Sequence, residues 1–137
     1  MTIRKTAQEF CSALDAGDWE TVASLLAPGC EYACRGELYE GVETIVASYR
    51  EIDEWVHRSF DSVRYESRIE SCSEHEALIS FRDVIEHGEH RLDFRCQQRI
   101  EVGNDGRILR ILHIDLEGEP EKAAQFNWAC GVRKLKE

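Results

Sequence analysis

The clearest pattern of apolar and polar positions runs from His90 to Leu116, and it predicts two strands joined by a turn over residues 103–106. Charged and polar residues of the first strand alternate with a set that is apolar or uncharged: Leu92, Phe94, Cys96, Gln98 and Ile100. Such alternation is typical of a strand with one covered face and one wet face. The second strand is apolar nearly throughout, yet His113 and Asp115 share one of its faces. We expect that face to line a pocket.

The first part of the chain has the spacing of amphipathic helices. Apolar residues recur at helical intervals from Ile3 to Leu14, and Gly17 stands where a left-handed residue would end this first helix. Asp18 can cap a second, short helix, which a proline-glycine pair then stops. These two helices are predicted to form a hairpin.

A short strand and a third helix follow. Residues 30–34 alternate as a strand, and Gly36 and Gly41 then bracket what we expect to be a loop. The third helix is predicted from Val42 onward. Its apolar face consists of Ile45, Val46, Tyr49, Ile52 and Val56.

From His57 onward, β-branched and aromatic residues alternate with charged ones, which predicts a region that is mainly sheet. One strand covers residues 63–69, and the next runs from Ala77 to Glu86, with Asp83 on its inward face. Residues 87–90 are predicted to form a tight hairpin, because a glycine supplies the positive φ of such turns. A proline early in the segment 119–130 favours a helix or lid there.

The turns allow the strand register to be predicted. A two-residue loop at 88–89 places Phe94 opposite Asp83 and Cys96 opposite Phe81. If Val102 pairs with Arg107, then Phe94 also lies opposite Asp115, Cys96 opposite His113, and Gln98 opposite Ile111. Since strands are about 4.8 Å apart, the two aspartates would then lie about 10 Å apart across Phe94.

Length and charge narrow the range of functions. The chain has 137 residues, which predicts one domain over 1–137 with a core that needs no disulfide or metal. Its net charge of −10 argues against nucleic acid and anionic membrane surfaces as partners. The sequence shows no apolar stretch typical of a signal peptide or a membrane span, so we expect a cytoplasmic location.

Six cysteines are many for this length: Cys11, Cys30, Cys34, Cys72, Cys96 and Cys130. Their spacing lacks the paired pattern of structural zinc sites. We therefore expect free thiols in a reducing compartment, with neither a metal nor another cofactor.

Three segments carry a resemblance to a known superfamily. They are ALDAGDWETVASLLAPGCEY (13–32), LYEGVETIVASYR (38–50) and GRILRILHIDL (106–116). With the order of predicted elements, they resemble the nuclear transport factor 2-like superfamily, which includes ketosteroid isomerase and SnoaL-type polyketide cyclases. The resemblance implies an α+β cone: a curved, mainly antiparallel sheet wrapped around three N-terminal helices, with a C-terminal helix.

Two enzymes of this superfamily can be compared by residue. When LDFRCQQRI (92–100) is laid against ketosteroid isomerase, the tyrosine position falls on Phe10, the base on Cys34 and the protonated acid on Cys96. A phenyl ring cannot donate a hydrogen bond and a thiol donates weakly, so steroid isomerisation of the usual type is not expected. Limonene epoxide hydrolase uses an arginine between two aspartates inside its pocket. Arg91, Arg95 and Arg99 have outward parity, which disfavours that reaction as well.

The candidate site is the inward face of the sheet. Asp83, His113 and Asp115 are the candidate catalytic residues, although an inward histidine is often only a hydrogen-bonded core residue. We expect the ligand-binding residues to be mostly apolar or aromatic, and they are Phe10, Tyr32, Cys34, Tyr49, Phe81, Phe94, Cys96, Gln98, Ile111 and Trp128.

Three functions remain open. The first is a SnoaL-like domain that binds a small, largely apolar ligand. The second is a general acid-base enzyme, such as an isomerase, cyclase, dehydratase or hydrolase, that uses His113 with Asp83 or Asp115. The third is a non-catalytic dimerisation module. A homodimer is expected through the outer face of the sheet, at polar positions such as Arg91, Arg95, Gln97 and Arg99.

Overall fold

The computed structural model describes residues 2–132, which form four helices and six strands. The helices are α1 (Ile3–Ala16), α2 (Trp19–Leu25), α3 (Val42–Ser59) and α4 (Glu119–Cys130). The strands are β1 (Leu26–Cys34), β2 (Glu37–Glu40), β3 (Ser62–Cys72), β4 (Glu76–His87), β5 (His90–Val102) and β6 (Ile108–Asp115). No helix in this range is long and apolar enough to cross a bilayer.

The strands form one curved, unclosed sheet in the order β2-β1-β6-β5-β4-β3. Only β1 and β6 pair in parallel, while the other neighbours in this sheet are antiparallel. The α+β class and the mainly antiparallel cone are therefore confirmed. The predicted loop between Gly36 and Gly41 is wrong, because it contains β2. Both glycines have positive φ (83° and 89°), which lets the chain reverse at each end of this four-residue strand.

Two hydrophobic clusters fill the concave side of the sheet. The larger cluster joins α1, α2 and α3 to the sheet, and its fully buried side chains include Phe10, Ile45, Ile79, Ile100 and Ile111. The smaller cluster lies between the end of α3, α4 and the other end of the sheet, and it contains Val56, Phe60, Ile85, Leu92 and Phe126. The C-terminal helix is thus confirmed as a packed element, whereas Ile52 of the predicted apolar face of α3 is 52% exposed.

The predicted register is right between β4 and β5 and wrong between β5 and β6. Asp83 pairs with Phe94, and the hairpin closes at His87 and His90, as expected. On the other side Cys96 pairs with Asp115 and Gln98 with His113, which is two residues away from the prediction. The difference has two parts of one residue each. The strands pair next to the turn at Val102 and Ile108, not at Val102 and Arg107, and an irregularity between Glu101 and Val102 then inserts one extra residue on β6. From Arg110 to Asp115 a register shift of two residues keeps each side chain on its predicted face. On the turn side of the irregularity the alternation changes, because Ile108 is fully buried and Leu109 is 39% exposed.

A buried hydrogen bond ties α1 to this turn. The Thr6 hydroxyl donates to the carbonyl oxygen of Gly106 at 3.0 Å, and Thr6 is fully buried. Gly106 has a φ of 81°, a conformation that favours glycine. The bond therefore holds the β5–β6 turn against the first helix.

We predict that Thr6→Val lowers the free energy of unfolding by about 1 to 3 kcal/mol, because it leaves a buried carbonyl without its donor at nearly constant volume. Urea unfolding measures this cost. The control is Thr44→Val at an exposed position of α3, which should change stability by less than about 0.5 kcal/mol. Equal effects of the two substitutions on the free energy of unfolding would contradict a stabilising role for the hydrogen bond between Thr6 and Gly106.

Candidate functional site

A layer of polar side chains crosses the concave face between the two hydrophobic clusters. We call it the polar belt, and it consists of Tyr65, Ser67, Asp83, Cys96, Gln98, His113 and Asp115. The strand register places Tyr65 and Asp83 at the level of Phe94, and Ser67 at the level of Phe81, Cys96 and Asp115. Phe94 packs against the smaller cluster and Phe81 against the larger one. The belt therefore has apolar walls on both sides.

Arg35 enters the belt from the β1–β2 turn. Its Nε and Nη2 donate to the two carboxylate oxygens of Asp115, both at 2.8 Å, which makes a bidentate pair. The parallel pairing of Ala33 with Leu112 brings the start of this turn to the end of β6. Arg35 also has a φ of 49°, an unfavourable conformation for a residue with a side chain.

Arg35 was missed by the sequence argument, which considered only arginines within strands. An arginine does reach the inward face, so outward parity of Arg91, Arg95 and Arg99 no longer argues against an arginine-aspartate site. A signal was present in the sequence. A residue followed by glycine between two short strands is typical of a two-residue hairpin loop, and Arg35-Gly36 fits it.

His113 is buried beside this pair. Its Nε2 lies 2.8 Å from Oδ1 of Asp115, and its Nδ1 lies 3.5 Å from the amide nitrogen of Gln98. The His113 side chain is 8% exposed, and this burial lowers its pKa. The hydrogen bond from Arg35 lowers the pKa of Asp115 as well. A neutral imidazole thus lies beside an ionised carboxylate near neutral pH.

Aromatic side chains close the inner end of the belt. Gln98 is 4% exposed, and its amide contacts the hydroxyls of Tyr49 at 2.9 Å and Tyr32 at 3.2 Å. The rings of Tyr32 and Tyr49 are stacked with centroids 5.1 Å apart, and Tyr39 stacks on the other side of Tyr32. The belt is therefore filled by packed side chains on this side and opens towards Arg35, whose side chain is 52% exposed.

Asp83 occupies the opposite end of the belt. Burial raises its pKa to about 7, and the neighbouring charges of Asp15 and Asp53 add to this effect. Those two acids are held by hydrogen bonds: Ser67 donates to Asp15 at 2.6 Å and Tyr65 donates to Asp53 at 2.7 Å. Asp83 therefore exchanges its proton near neutrality, whereas Asp115 stays ionised.

The structure brings two of the three candidate catalytic residues together. His113 and Asp115 are in direct contact, but Asp83 and Asp115 do not share a row across Phe94 as predicted. Two strand spacings and two residues along the strand separate their Cα atoms by about 12 Å. The belt therefore has two chemical ends, with Cys96 between them.

The predicted ligand-binding residues fall into three groups. Phe10 and Ile111 are fully buried in the larger cluster, and Trp128 is 85% exposed on α4, so none of these three borders an open part of the belt. Tyr32 and Tyr49 form its closed end. The remaining residues lie in the belt or next to it, and they are Cys34, Phe81, Phe94, Cys96 and Gln98.

Neither a disulfide nor a metal site is assembled here. The Cα atoms of Cys34 and Cys96 lie about two strand spacings apart, with β6 between them, which is too far for a disulfide without backbone movement. Within residues 2–132, no group of three histidine, cysteine or acidic side chains is placed to hold a metal ion.

We predict that Asp83 makes the protein less stable as the pH rises. The folded state retains the Asp83 proton up to about pH 7, while the unfolded chain releases it near pH 4. Between pH 5 and 8 the free energy of unfolding should therefore fall by about 2 to 3 kcal/mol from this group alone. Asp83→Asn should remove that fall, as measured by urea unfolding at several pH values. Glu117→Gln in the exposed turn after β6 serves as the control and should leave the fall unchanged.

Comparisons with known proteins identify the fold. No protein-family model matches the chain, and no curated protein sequence matches it. Several solved structures do. Bal32a from a soil-derived mobile gene cassette has a TM-score of 0.72 and 18% identity, over 90% of this chain and 95% of that one. An LEH-like epoxide hydrolase from M. tuberculosis has a TM-score of 0.63 and 21% identity, over 91% of each chain.

A third structure carries the name of the fold. An NTF2-like protein of unknown function from Exiguobacterium sp. 255-15 has a TM-score of 0.61 and 10% identity, over 82% of this chain and 98% of that one. These likenesses show the fold and leave the activity open. The resemblance drawn from the sequence is confirmed at this level: the chain has the nuclear transport factor 2-like fold.

Proposed function

We propose that the protein binds a small, largely apolar molecule with one or two polar groups at the polar belt. The observation that carries this proposal is the belt itself, which sets fixed polar groups between apolar walls on a concave face. Burying polar side chains costs stability unless they are paired, and an apolar layer here would join the two clusters more simply. A site with a few placed polar groups among apolar walls is the common form of a ligand pocket.

The two ends of the belt define which polar groups the ligand would carry. Burial raises the pKa of Asp83 to about 7, so its protonated form is accessible at neutral pH and can donate a hydrogen bond to a carbonyl or hydroxyl oxygen. Arg35 presents a half-exposed guanidinium at the other end. The middle of the belt, at Cys96, carries no charged side chain and lies beside Phe81 and Phe94, so it matches a ring or a short hydrocarbon segment.

General acid-base catalysis is the second candidate, and a specific observation favours it. The environment moves the two carboxyl groups in opposite directions: the pKa of Asp83 is raised to about 7, while that of Asp115 is lowered. Such a divergence lets one carboxyl act as an acid while the other remains ionised. Isomerisation, cyclisation, dehydration and hydrolysis all fit this pair, and one structure of the same fold is named an epoxide hydrolase.

The binding test uses 2-naphthol as an apolar probe with one hydroxyl group, followed by ¹⁵N-¹H NMR spectra. We predict chemical-shift changes concentrated at residues 94–98 and 113–115. Cys96→Leu should weaken binding at least about tenfold, because a larger side chain fills the belt beside Phe81. The control, Ile52→Phe, enlarges an exposed side chain of α3 and should leave binding unchanged.

Two results would contradict ligand binding at the belt. One is the absence of shifts at those residues with millimolar probe. The other is a full response in Cys96→Leu once its spectrum has shown a native fold. Native mass spectrometry of the freshly purified protein adds an independent readout, because a co-purifying ligand would appear as an added mass.

We also propose a homodimer through the outer face of the sheet. A row of apolar side chains crosses β2, β1 and β6 on this face: Leu38 pairs with Ala33, which pairs with Leu112. Leu38 is 54% exposed and Leu112 47% exposed. Three of the four polar positions first expected at the interface have partners within the chain: Arg95 contacts Asp93, Gln97 contacts Ser80, and Arg99 contacts Glu76. The apolar row is therefore the better basis for self-association.

Light scattering tests the dimer. At micromolar concentration we predict twice the mass of the chain, and Leu112→Asp should return the mass of one chain because it places a charge in the apolar row. Ile52→Asp changes an equally exposed residue on α3 and should leave the dimer intact. A wild-type protein with the mass of a single chain would reject this proposal.

A further inference from the structure

A continuous chain of hydrogen bonds leads from the open end of the belt into its closed end. It begins at Arg35 and passes through the Asp115 carboxylate, the His113 ring and the Gln98 amide to the hydroxyl of Tyr49. The chain connects a half-exposed guanidinium to a residue of the tyrosine stack. Each of its links constrains the next.

The direction of the chain follows from its charged end. Arg35 holds Asp115 ionised, and an ionised carboxylate can only accept hydrogen bonds. The Nε2 atom of His113, 2.8 Å from that carboxylate, must therefore carry a hydrogen atom. Because the ring is buried and neutral, its Nδ1 atom has a lone pair and needs a donor.

Gln98 supplies that donor. Its amide nitrogen lies 3.5 Å from Nδ1 of His113 and 3.2 Å from the Tyr32 hydroxyl, while its amide oxygen accepts from the Tyr49 hydroxyl at 2.9 Å. If the Gln98 amide were rotated by 180°, its oxygen would face the lone pair of Nδ1 and could not donate a hydrogen bond to it. With 4% exposure, Gln98 also has no access to bulk water as a substitute partner.

We propose that Gln98 is a positioning residue: it fixes His113 in the tautomer with hydrogen on Nε2, and His113 in turn orients the Asp115 carboxylate. This role rests on the proposed ligand site, and it changes the roles of two residues in that site. Both ring nitrogens of His113 are engaged, and so are both ends of the Gln98 amide. Neither residue contacts the ligand. Proton exchange with the ligand belongs to Asp83, while Asp115 remains ionised.

The groups that face His113 support this assignment from each side. Arg35 and Asp115 are the charged groups beside it, and Gln98 lies on the neighbouring strand β5. A cationic His113 would place a second positive charge 3.4 Å from Nη2 of Arg35. A neutral ring with hydrogen on Nε2 avoids this repulsion. It also donates a hydrogen bond to the Asp115 carboxylate.

The ring ¹⁵N chemical shifts of His113 test the proposal, because they distinguish the two neutral tautomers and the cation. In the wild type we expect hydrogen on Nε2 alone from pH 6 to 8. Gln98→Met keeps the volume and removes the donor, so it should give a mixture of tautomers. Gln98→Glu offers an acceptor to Nδ1 and should raise the pKa of His113 by about one unit or more.

Gln97→Met is the matched control, because Gln97 lies next in sequence on the outer face, where it contacts Ser80. It should leave the His113 shifts unchanged. The proposal fails if the wild-type ring carries its hydrogen on Nδ1, or if Gln98→Met, shown by its spectrum to be folded, keeps the wild-type tautomer. The wild-type measurement alone is decisive even if Gln98→Met does not fold.

The same samples separate this proposal from the ligand site. If 2-naphthol leaves the belt unshifted while Gln98→Met changes the His113 tautomer, ligand binding is refuted and the positioning role stands. If 2-naphthol binds the belt and Gln98→Met leaves the tautomer unchanged, the positioning role is refuted and the ligand site stands.

Discussion

The alternation of β5 is the constraint on which the rest of the structure depends. This strand pairs with β4 on one side and β6 on the other, so its faces set the faces of its neighbours. Side chains at every second position from Leu92 to Val102 lie against the helices. This set is apolar except for two residues in its middle. The exceptions, Cys96 and Gln98, fix the level at which the polar belt crosses the sheet.

A polar layer inside a small domain requires that its members satisfy one another. Asp115 accepts hydrogen bonds from Arg35 and His113, and the buried His113 would lack a partner on each nitrogen without Asp115 and Gln98. Asp83 has no such pairing within residues 2–132. Burial raises its pKa, and the neighbouring acids Asp15 and Asp53 raise it further. One end of the belt is stabilised by pairing, and the other end remains ready to gain or lose a proton.

Parity made most of this fold predictable, whereas irregular backbone did not. The inward faces of β4, β5 and β6 followed from period-two alternation, and an error of two residues left them intact. The extra residue near Val102 was not visible in the sequence, because β6 is apolar nearly throughout. The buried Ile108 and Ile111 lie three positions apart across the irregularity, but the exposed Leu109 between them hides this break in alternation. Arg35 was missed for a related reason. It lies in a turn with positive φ, where neither helical nor strand periodicity indicates the direction of a side chain.

The central claim is that one concave face holds two carboxyl groups whose proton affinities have been driven apart. Titration of the aspartate carboxyl carbons by ¹³C NMR measures this directly. The account predicts a midpoint of about pH 7 for Asp83 and a midpoint below the usual range for Asp115. Titration midpoints of about pH 4 for both Asp83 and Asp115 would contradict it, because both carboxyl groups would then behave as solvated aspartates.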